Sequence, residues 1–270
     1  MKKFMLLTAL VLASTLLSAC ATTTGSSTPA IDGILQNKEL VVGTSGSQPP
    51  FSMTTKDGKL IGFDIDLARA MADSIGVTLS LKTMPFDQLL PALQAGNLDL
   101  VISGLTITPA RNLGVAFVGP YFISGKSVLT KLDTIAAIED ASEINTPGMT
   151  LTALQGSTSQ EFIETATPEA TFIPARDYDE AVDLVLKDTV KAMVADYPIC
   201  IISVFRHPES GLISMIRPLS FEPLGIALPK GDPLFVNWAE NFLNTYQGTG
   251  RLDELKEVWF GDASWVEQLP

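Results

Sequence analysis

The segment Leu98-Asp99-Leu100-Val101-Ile102 is a short apolar run, followed at once by Ser103-Gly104-Leu105-Thr106-Ile107-Thr108-Pro109-Ala110-Arg111. A run of this kind is buried on both faces, as a parallel strand inside an α/β sheet is. Ligands in open α/β folds sit at the carboxyl ends of such strands. Gly104 lets the backbone approach a small molecule. Thr106 offers a hydroxyl and a backbone N–H, and Arg111 a planar fork that matches a carboxylate. Taken alone, the segment is an ordinary turn followed by a surface arginine.

Short strands alternate with amphipathic helices along the chain, which predicts an α/β fold. Leu40-Val41-Val42 reads as the first strand. Leu67, Met71 and Ile75 recur at helical spacing, with Asp64 placed to cap the start and Gly76 the end. Val77, Leu79 and Leu81 alternate with polar residues, as in a half-exposed strand. Gln88 to Ala95 reads as a helix with Pro91 in or near its first turn. After Lys126 a second series begins. It predicts strands at 149–154, 171–173 and 192–195 and helices at 159–165 and 178–187. Phe221 to Leu228 then leads to two final helices, the last with Leu252, Leu255 and Trp259 on one side.

The N-terminus stands apart from this pattern. Lys2 and Lys3 precede an apolar run from Phe4 to Leu17, too short to span a bilayer comfortably, which reads as an export signal. It ends in Leu17-Ser18-Ala19-Cys20, which resembles the lipobox of bacterial lipoproteins. That resemblance implies a leader over residues 1–19 and a lipid-carrying Cys20, a membrane anchor of two or three acyl (palmitate-type) chains. The alternative is an ordinary signal peptide cut near Ala19 or Ala21. Residues 21–30 are Thr, Ser, Gly and Ala with one Pro, which reads as a flexible tether. Ten such residues reach roughly 17 Å as coil. The fold is expected to start near Ile31.

Composition excludes several classes. The 18 basic and 30 acidic residues give a formal net charge of −12, and losing Lys2 and Lys3 with a leader deepens it by two. Such a surface argues against nucleic acid and against electrostatic membrane binding. Beyond Cys20 only Cys200 remains, so no disulfide joins core cysteines. The sole histidine, His207, lies in a loop-like run. No Cys/His metal cluster, no Ser/His/Asp set with a usable histidine and no phosphate loop is present, so no cofactor or metal is expected. Gly43-Thr44-Ser45-Gly46 lacks the ending a phosphate cradle needs.

Gly62-Phe63-Asp64-Ile65-Asp66-Leu67-Ala68-Arg69-Ala70-Met71-Ala72-Asp73-Ser74-Ile75 lies one βαβ unit before the Arg111 segment. Pro120-Tyr121-Phe122, Leu154-Gln155-Gly156-Ser157-Thr158, Val194-Ala195-Asp196-Tyr197-Pro198 and Gly225-Ile226-Ala227-Leu228-Pro229-Lys230-Gly231-Asp232-Pro233 follow in order. This ordered set, from about Glu39 to Phe260, resembles bacterial solute-binding proteins of the polar amino acid type, the extracytoplasmic receptors of ABC importers. The resemblance implies a two-lobe periplasmic-binding-protein-like type II fold with a ligand cleft between the lobes. Lobe 1 would be discontinuous, 31–123 plus 224–262, and lobe 2 would span 126–221. The strands would cross near 122–126 and 221–225.

The resemblance also assigns roles. Arg111 would hold the ligand's α-carboxylate, with the Thr106 hydroxyl and N–H beside it. Ser103 and Gly104 would line the same strand end. Thr158 and Ser159 would present hydroxyls and amides at a helix N-terminus. Asp196 reads from the sequence as a helix cap; the resemblance adds acceptance from the ligand's α-ammonium. Phe86 is either a core residue or a wall against the ligand's side chain. Asp64 and Asp66 read as structural carboxylates at a helix start.

Two positions depart from relatives. Gln48 stands where histidine- and glutamine-binding relatives stack an aromatic. Ser45 stands where those relatives carry Asp and the glutamate/aspartate-binding one carries Arg. Leu154 is likewise neutral. These favour a neutral polar or modestly apolar amino acid, unless Arg176, Asp177 or Tyr178 enters the pocket. The leading expectation is a monomeric, non-enzymatic binding lipoprotein that serves an ABC permease from the periplasm or cell surface. The alternatives are a cyclohexadienyl dehydratase-like enzyme, with Asp177 or Glu180 as acid, and a ligand-sensing receptor.

Overall fold

The computed structural model describes residues 29–136, 141–215 and 218–270. The expected leader, Cys20 and all but the last two residues of the expected tether lie outside them. Those last two belong to a helix, Pro29–Asn37. Asp232 accepts from the Ala30 and Ile31 N–H groups at 3.1 and 3.2 Å, so a carboxylate from the far end of the chain satisfies its first turn.

In chain order the strands are β1 (Glu39–Thr44), β2 (Ser47–Gln48), β3 (Ser52–Thr54), β4 (Leu60–Ile61), β5 (Thr78–Thr83), β6 (Leu100–Val101), β7 (Ala116–Ser124), β8 (Lys126–Lys131), β9 (Thr150–Leu154), β10 (Thr171–Ala175), β11 (Ala192–Asp196), β12 (Leu212–Ser214) and β13 (Glu222–Leu228). They form two five-stranded sheets, β5-β1-β6-β13-β7 and β10-β9-β11-β8-β12, and a small sheet β2-β3-β4. In the first, β1 runs parallel to β5 and β6, while β13 is antiparallel to β6 and β7. In the second, β9 is parallel to β10 and β11, while β8 is antiparallel to β11 and β12. Each sheet thus mixes a parallel βαβ part with antiparallel strands that enter or leave the other lobe.

Gly125 alone separates β7 from β8, which lie in different sheets. The chain returns on β13, whose first residues pair with the last of β7: Glu222 with Ser124, Pro223 with Ile123, Leu224 with Phe122. Two adjacent, hydrogen-bonded strands therefore join the lobes. One core packs Leu40, Phe51, Phe63, Leu67, Met71, Tyr121 and Phe235 around the first sheet. A second joins Leu89, Leu93 and Leu98 to Leu154, Tyr178 and Met193 of the other lobe. Apolar contact thus continues across the cleft, so the lobes are closed on each other.

Three local expectations are corrected. The helix Phe63–Ser74 starts from Gly62, whose φ of 136° leaves no room for a Cβ against the Phe51 carbonyl. No side chain caps it. Asp64 is fully buried and its Oδ2 accepts from the Gly104 N–H at 2.7 Å, so it serves the loop after β6 and not its own helix. The next helix is Phe86–Gln94, beginning two residues before Gln88. Pro91 sits in its interior, and burial of Leu89 and Leu93 on either side holds the helix through the lost N–H. At Asp196 the side chain makes no capping hydrogen bond, although the residue is the N-cap of the helix Tyr197–Arg206.

Candidate functional site

Closure of the lobes leaves a small cavity lined by Gln48, Phe86, Gly104, Thr106, Arg111, Ser157, Thr158, Ser159, Tyr178 and Asp196. Counted as room for the centre of a water molecule it measures about 10 Å³, the space of about one water. An amino acid can enter only if the lobes part. A wider groove of about 550 Å³ lies outside, between Arg176 and Pro270. Six of its charged side chains are paired with each other, as Arg176–Glu180, Lys187–Asp183 and Arg206–Asp179.

On the first wall, Gly104 has φ +54°, the left-handed region that glycine enters at little cost. Ser45 and Ser103 stand behind Gln48 and do not line the cavity. Both hydroxyls donate to Gln48 Oε1, at 2.9 and 2.7 Å, and Ser103 Oγ accepts from the Ser45 N–H at 3.0 Å. With Oε1 so occupied, the Gln48 amide turns its NH₂ donors toward the cavity. Ser45 and Ser103, expected to meet a ligand, instead lie behind the cavity wall and hold Gln48.

Arg111 closes this wall. Its guanidinium lies 5.7 Å from the Phe86 ring centre. Nη1 donates to the Thr106 carbonyl at 3.0 Å, and Nη2 to the Gly156 carbonyl of the other lobe at 3.1 Å. Three of its five N–H donors remain for a ligand. Burial lowers its pKa, opposed by the nearby Glu161, Glu222, Asp196 and Tyr178. Gly156 touches the first lobe directly. A Cβ there would meet Asp87 Cβ at 2.8 Å, and Gln155 Nε2 donates to Asp87 Oδ2 at 3.1 Å.

On the second wall, Ser157 caps the helix Thr158–Ala166 by accepting from the Gln160 N–H. Thr158 and Ser159 thus stand at the positive end of a helix dipole, suited to a carboxylate. Asp196 is buried opposite Arg111. Burial drives its carboxyl from 3.8 to about 7; Lys126 and Arg111 pull down and Glu222 pushes up. Tyr178 is buried beside it, its phenol raised well above the ordinary value by burial and by Asp196. Arg176 is exposed and paired with Glu180, and Asp177 caps the helix Tyr178–Leu186. Neither Asp177 nor Glu180 lines the cavity, so neither is placed as the acid of a dehydratase.

Two residues at the floor escaped the sequence reading. Lys126 Nζ lies 2.7 Å from Glu222 Oε1, and the side chains are 2 % and 8 % exposed. Thr106 and Thr158, expected to offer hydroxyls to a ligand, donate them instead to Glu222 Oε2 at 2.9 and 3.1 Å. The Thr106 backbone N–H stays available. The signals were a lysine opening an apolar strand and a glutamate before Pro223, but nothing local pairs them.

A family model described as bacterial extracellular solute-binding proteins, family 3, matches residues 40–262. The cyclohexadienyl dehydratase of Pseudomonas aeruginosa is 26% identical over 237 residues, 85% of either chain. The ABC transporter arginine-binding protein 1 of Escherichia coli is 27% identical over 221 residues, 81% of this chain and 89% of that one. A solved structure of a putative ABC transporter binding component from Wolinella succinogenes, complexed with lysine, superposes with a TM-score of 0.80. It shares 36% identity over 85% of this chain and 99% of its own.

Proposed function

The chain belongs to the bacterial extracellular solute-binding proteins, family 3, and from that premise we propose that it binds an α-amino acid between its lobes for an ABC importer. One observation carries the reading: Arg111 and Asp196 line one buried cavity from opposite lobes. A zwitterion presents a carboxylate to the first and an ammonium to the second. It gains both contacts only in the closed state, so it shifts the open–closed equilibrium that a permease can sense. Gln48, Phe86, Thr106, Thr158, Ser159 and Tyr178 complete the site, with Ser45, Ser103 and Gly104 shaping its wall. A micromolar dissociation constant, about −8 kcal/mol, suits so few polar contacts.

In this reading lobe 1 comprises 31–123 plus 224–262 and lobe 2 comprises 126–221. Lipid on Cys20 holds the protein at a membrane. The protein is not an enzyme, and turnover of prephenate or arogenate would overturn that.

The test is a thermal-shift panel of amino acids and their deaminated counterparts on wild type and Asp196→Asn. A ligand at 100 times its dissociation constant stabilises by about 2.7 kcal/mol. Asp196→Asn is expected to lose amino acids and keep simple carboxylic acids. Because Asp196 makes no capping bond, its basal stability should not drop. A wild type that prefers the deaminated acid sinks the reading.

A further inference from the structure

Buried ion pairs are poor sources of stability, because desolvation offsets most of the attraction. Lys126 and Glu222 nevertheless meet beneath Thr106 and Thr158 at the floor of the cleft, Glu222 on the crossing strand β13 and Lys126 at the start of β8, one residue past the crossing strand β7. Their partners explain what the pair can do. Lys126, on β8, and Thr158 belong to the second lobe. Thr106 belongs to the first, and Glu222 sits on the crossing strand β13, tied to the Thr106 segment where the Ile107 N–H bonds to the Pro223 carbonyl and the Gly225 N–H to the Leu105 carbonyl. Lys126 Nζ also donates to Thr158 Oγ1 at 2.8 Å. Each threonine hydroxyl has one proton, and both go to the same oxygen, Glu222 Oε2. Ser220 Oγ donates to Glu222 Oε1 at 2.8 Å and accepts from the Lys126 N–H at 3.1 Å, so the hinge backbone is tied into the same network.

We propose that Lys126 and Glu222 are positioning residues that clamp Thr106 of one wall to Thr158 of the other and assemble the closed cleft before any ligand enters. Three consequences follow from the geometry. Opening the lobes breaks charge-assisted hydrogen bonds in a dry environment, so the ligand-free protein keeps a large closed fraction. The two hydroxyls, having given their protons to Glu222, face a ligand as acceptors, and its carboxylate is left to Arg111 and backbone N–H groups. The helix start at Thr158 is held in register with Arg111, which fixes the width of the site.

The experiment needs no ligand, so it stands apart from the amino acid reading. Small-angle X-ray scattering is recorded on the ligand-free wild type, Glu222→Gln and Thr158→Val, with thermal unfolding of each as a control. Thr158→Val removes one arm of the clamp and leaves the ion pair intact, so no charge is orphaned if Glu222→Gln fails to fold. The wild type should scatter as a closed particle or as a mixture rich in it. Both variants should show a larger radius of gyration, with the closed-to-open ratio lower by roughly tenfold or more, the worth of one charge-assisted hydrogen bond. A purely structural role would lower the melting temperature and leave the radius of the folded protein unchanged. Folded variants that scatter as the wild type does, or a wild type already fully open, overturn the proposal.

Discussion

Asp64→Asn tests how the loop after β6 is held. Asp64 is wholly buried, its Oδ2 accepts from the Gly104 N–H at 2.7 Å, and the buried Tyr121 hydroxyl lies beside it. Burial drives its carboxyl from 3.8 to about 7, against the Gly104 bond that lowers it. The unfolded chain releases this proton near pH 4 and the folded chain near pH 7. Between those limits the folded state binds more protons, so the group's contribution to stability falls as pH rises and levels off above about pH 7. At about 1.4 kcal/mol per pKa unit the loss is roughly 4 kcal/mol at most. Asparagine keeps an acceptor for Gly104 and carries no charge. Urea denaturation at pH 4.5, 6, 7.5 and 9 should therefore show the variant close to wild type at the acid end and more stable by a few kcal/mol at pH 9. Asp196 titrates in the same direction in both proteins, so the difference between them isolates Asp64. A difference that stays constant from pH 4.5 to 9 refutes the argument.

Arg111→Ala should weaken amino acid binding by roughly 3–5 kcal/mol, because the ligand's carboxylate is left buried and unpaired; Arg111→Lys should recover only part, lacking the fork. Near-normal affinity by calorimetry in Arg111→Ala would remove the carboxylate role. Gly156→Ala should hold the lobes apart through the clash with Asp87 and reduce affinity mainly by faster dissociation, read by stopped-flow fluorescence. Cys20→Ser should move the protein from the membrane to the soluble extracytoplasmic fraction; a wild type that is already soluble contradicts the anchor.

What could be read from the residues divides along a physical line. β1 and β6 announce themselves because their apolar residues Leu40, Val42, Leu100 and Val101 are buried. Gly76 marks a helix end because its φ of +66° suits glycine, and its N–H and that of Val77 close on Asp73 and Ala72. These are local effects. Asp64 was misread because a carboxylate in the first turn of a helix ordinarily serves the dipole. Here its partner lies 40 residues away, and only the fold brings Gly104 over it. Lys126 and Glu222 escaped for the same reason. Arg111 and Asp196, which the fold brings to one cavity, were singled out through an ordered set of motifs, since neither residue's surroundings are visible in its neighbours along the chain.

On the proposed reading, charge accounting in the cleft bears on the ligand's side chain. Arg111, Lys126, Asp196 and Glu222 bring two charges of each sign to one small volume. Lys126 and Glu222 neutralise each other at 2.7 Å, leaving Arg111 and Asp196 for the two charges of a zwitterion. The rest of the lining, Gln48, Phe86, Gly104, Thr106, Ser157, Thr158, Ser159 and Tyr178, carries no formal charge. A ligand side chain bearing an extra charge would be buried there without a partner, a cost of several kcal/mol. Gln48, with its carbonyl held by Ser45 and Ser103, presents donors, and Tyr178 a hydroxyl beside an aromatic face. That combination suits an uncharged polar side chain. A relative named for arginine matches most of this sequence, and a binding component complexed with lysine shares its fold. On the reading developed above, the preference among amino acids is set by the few residues where the chains differ.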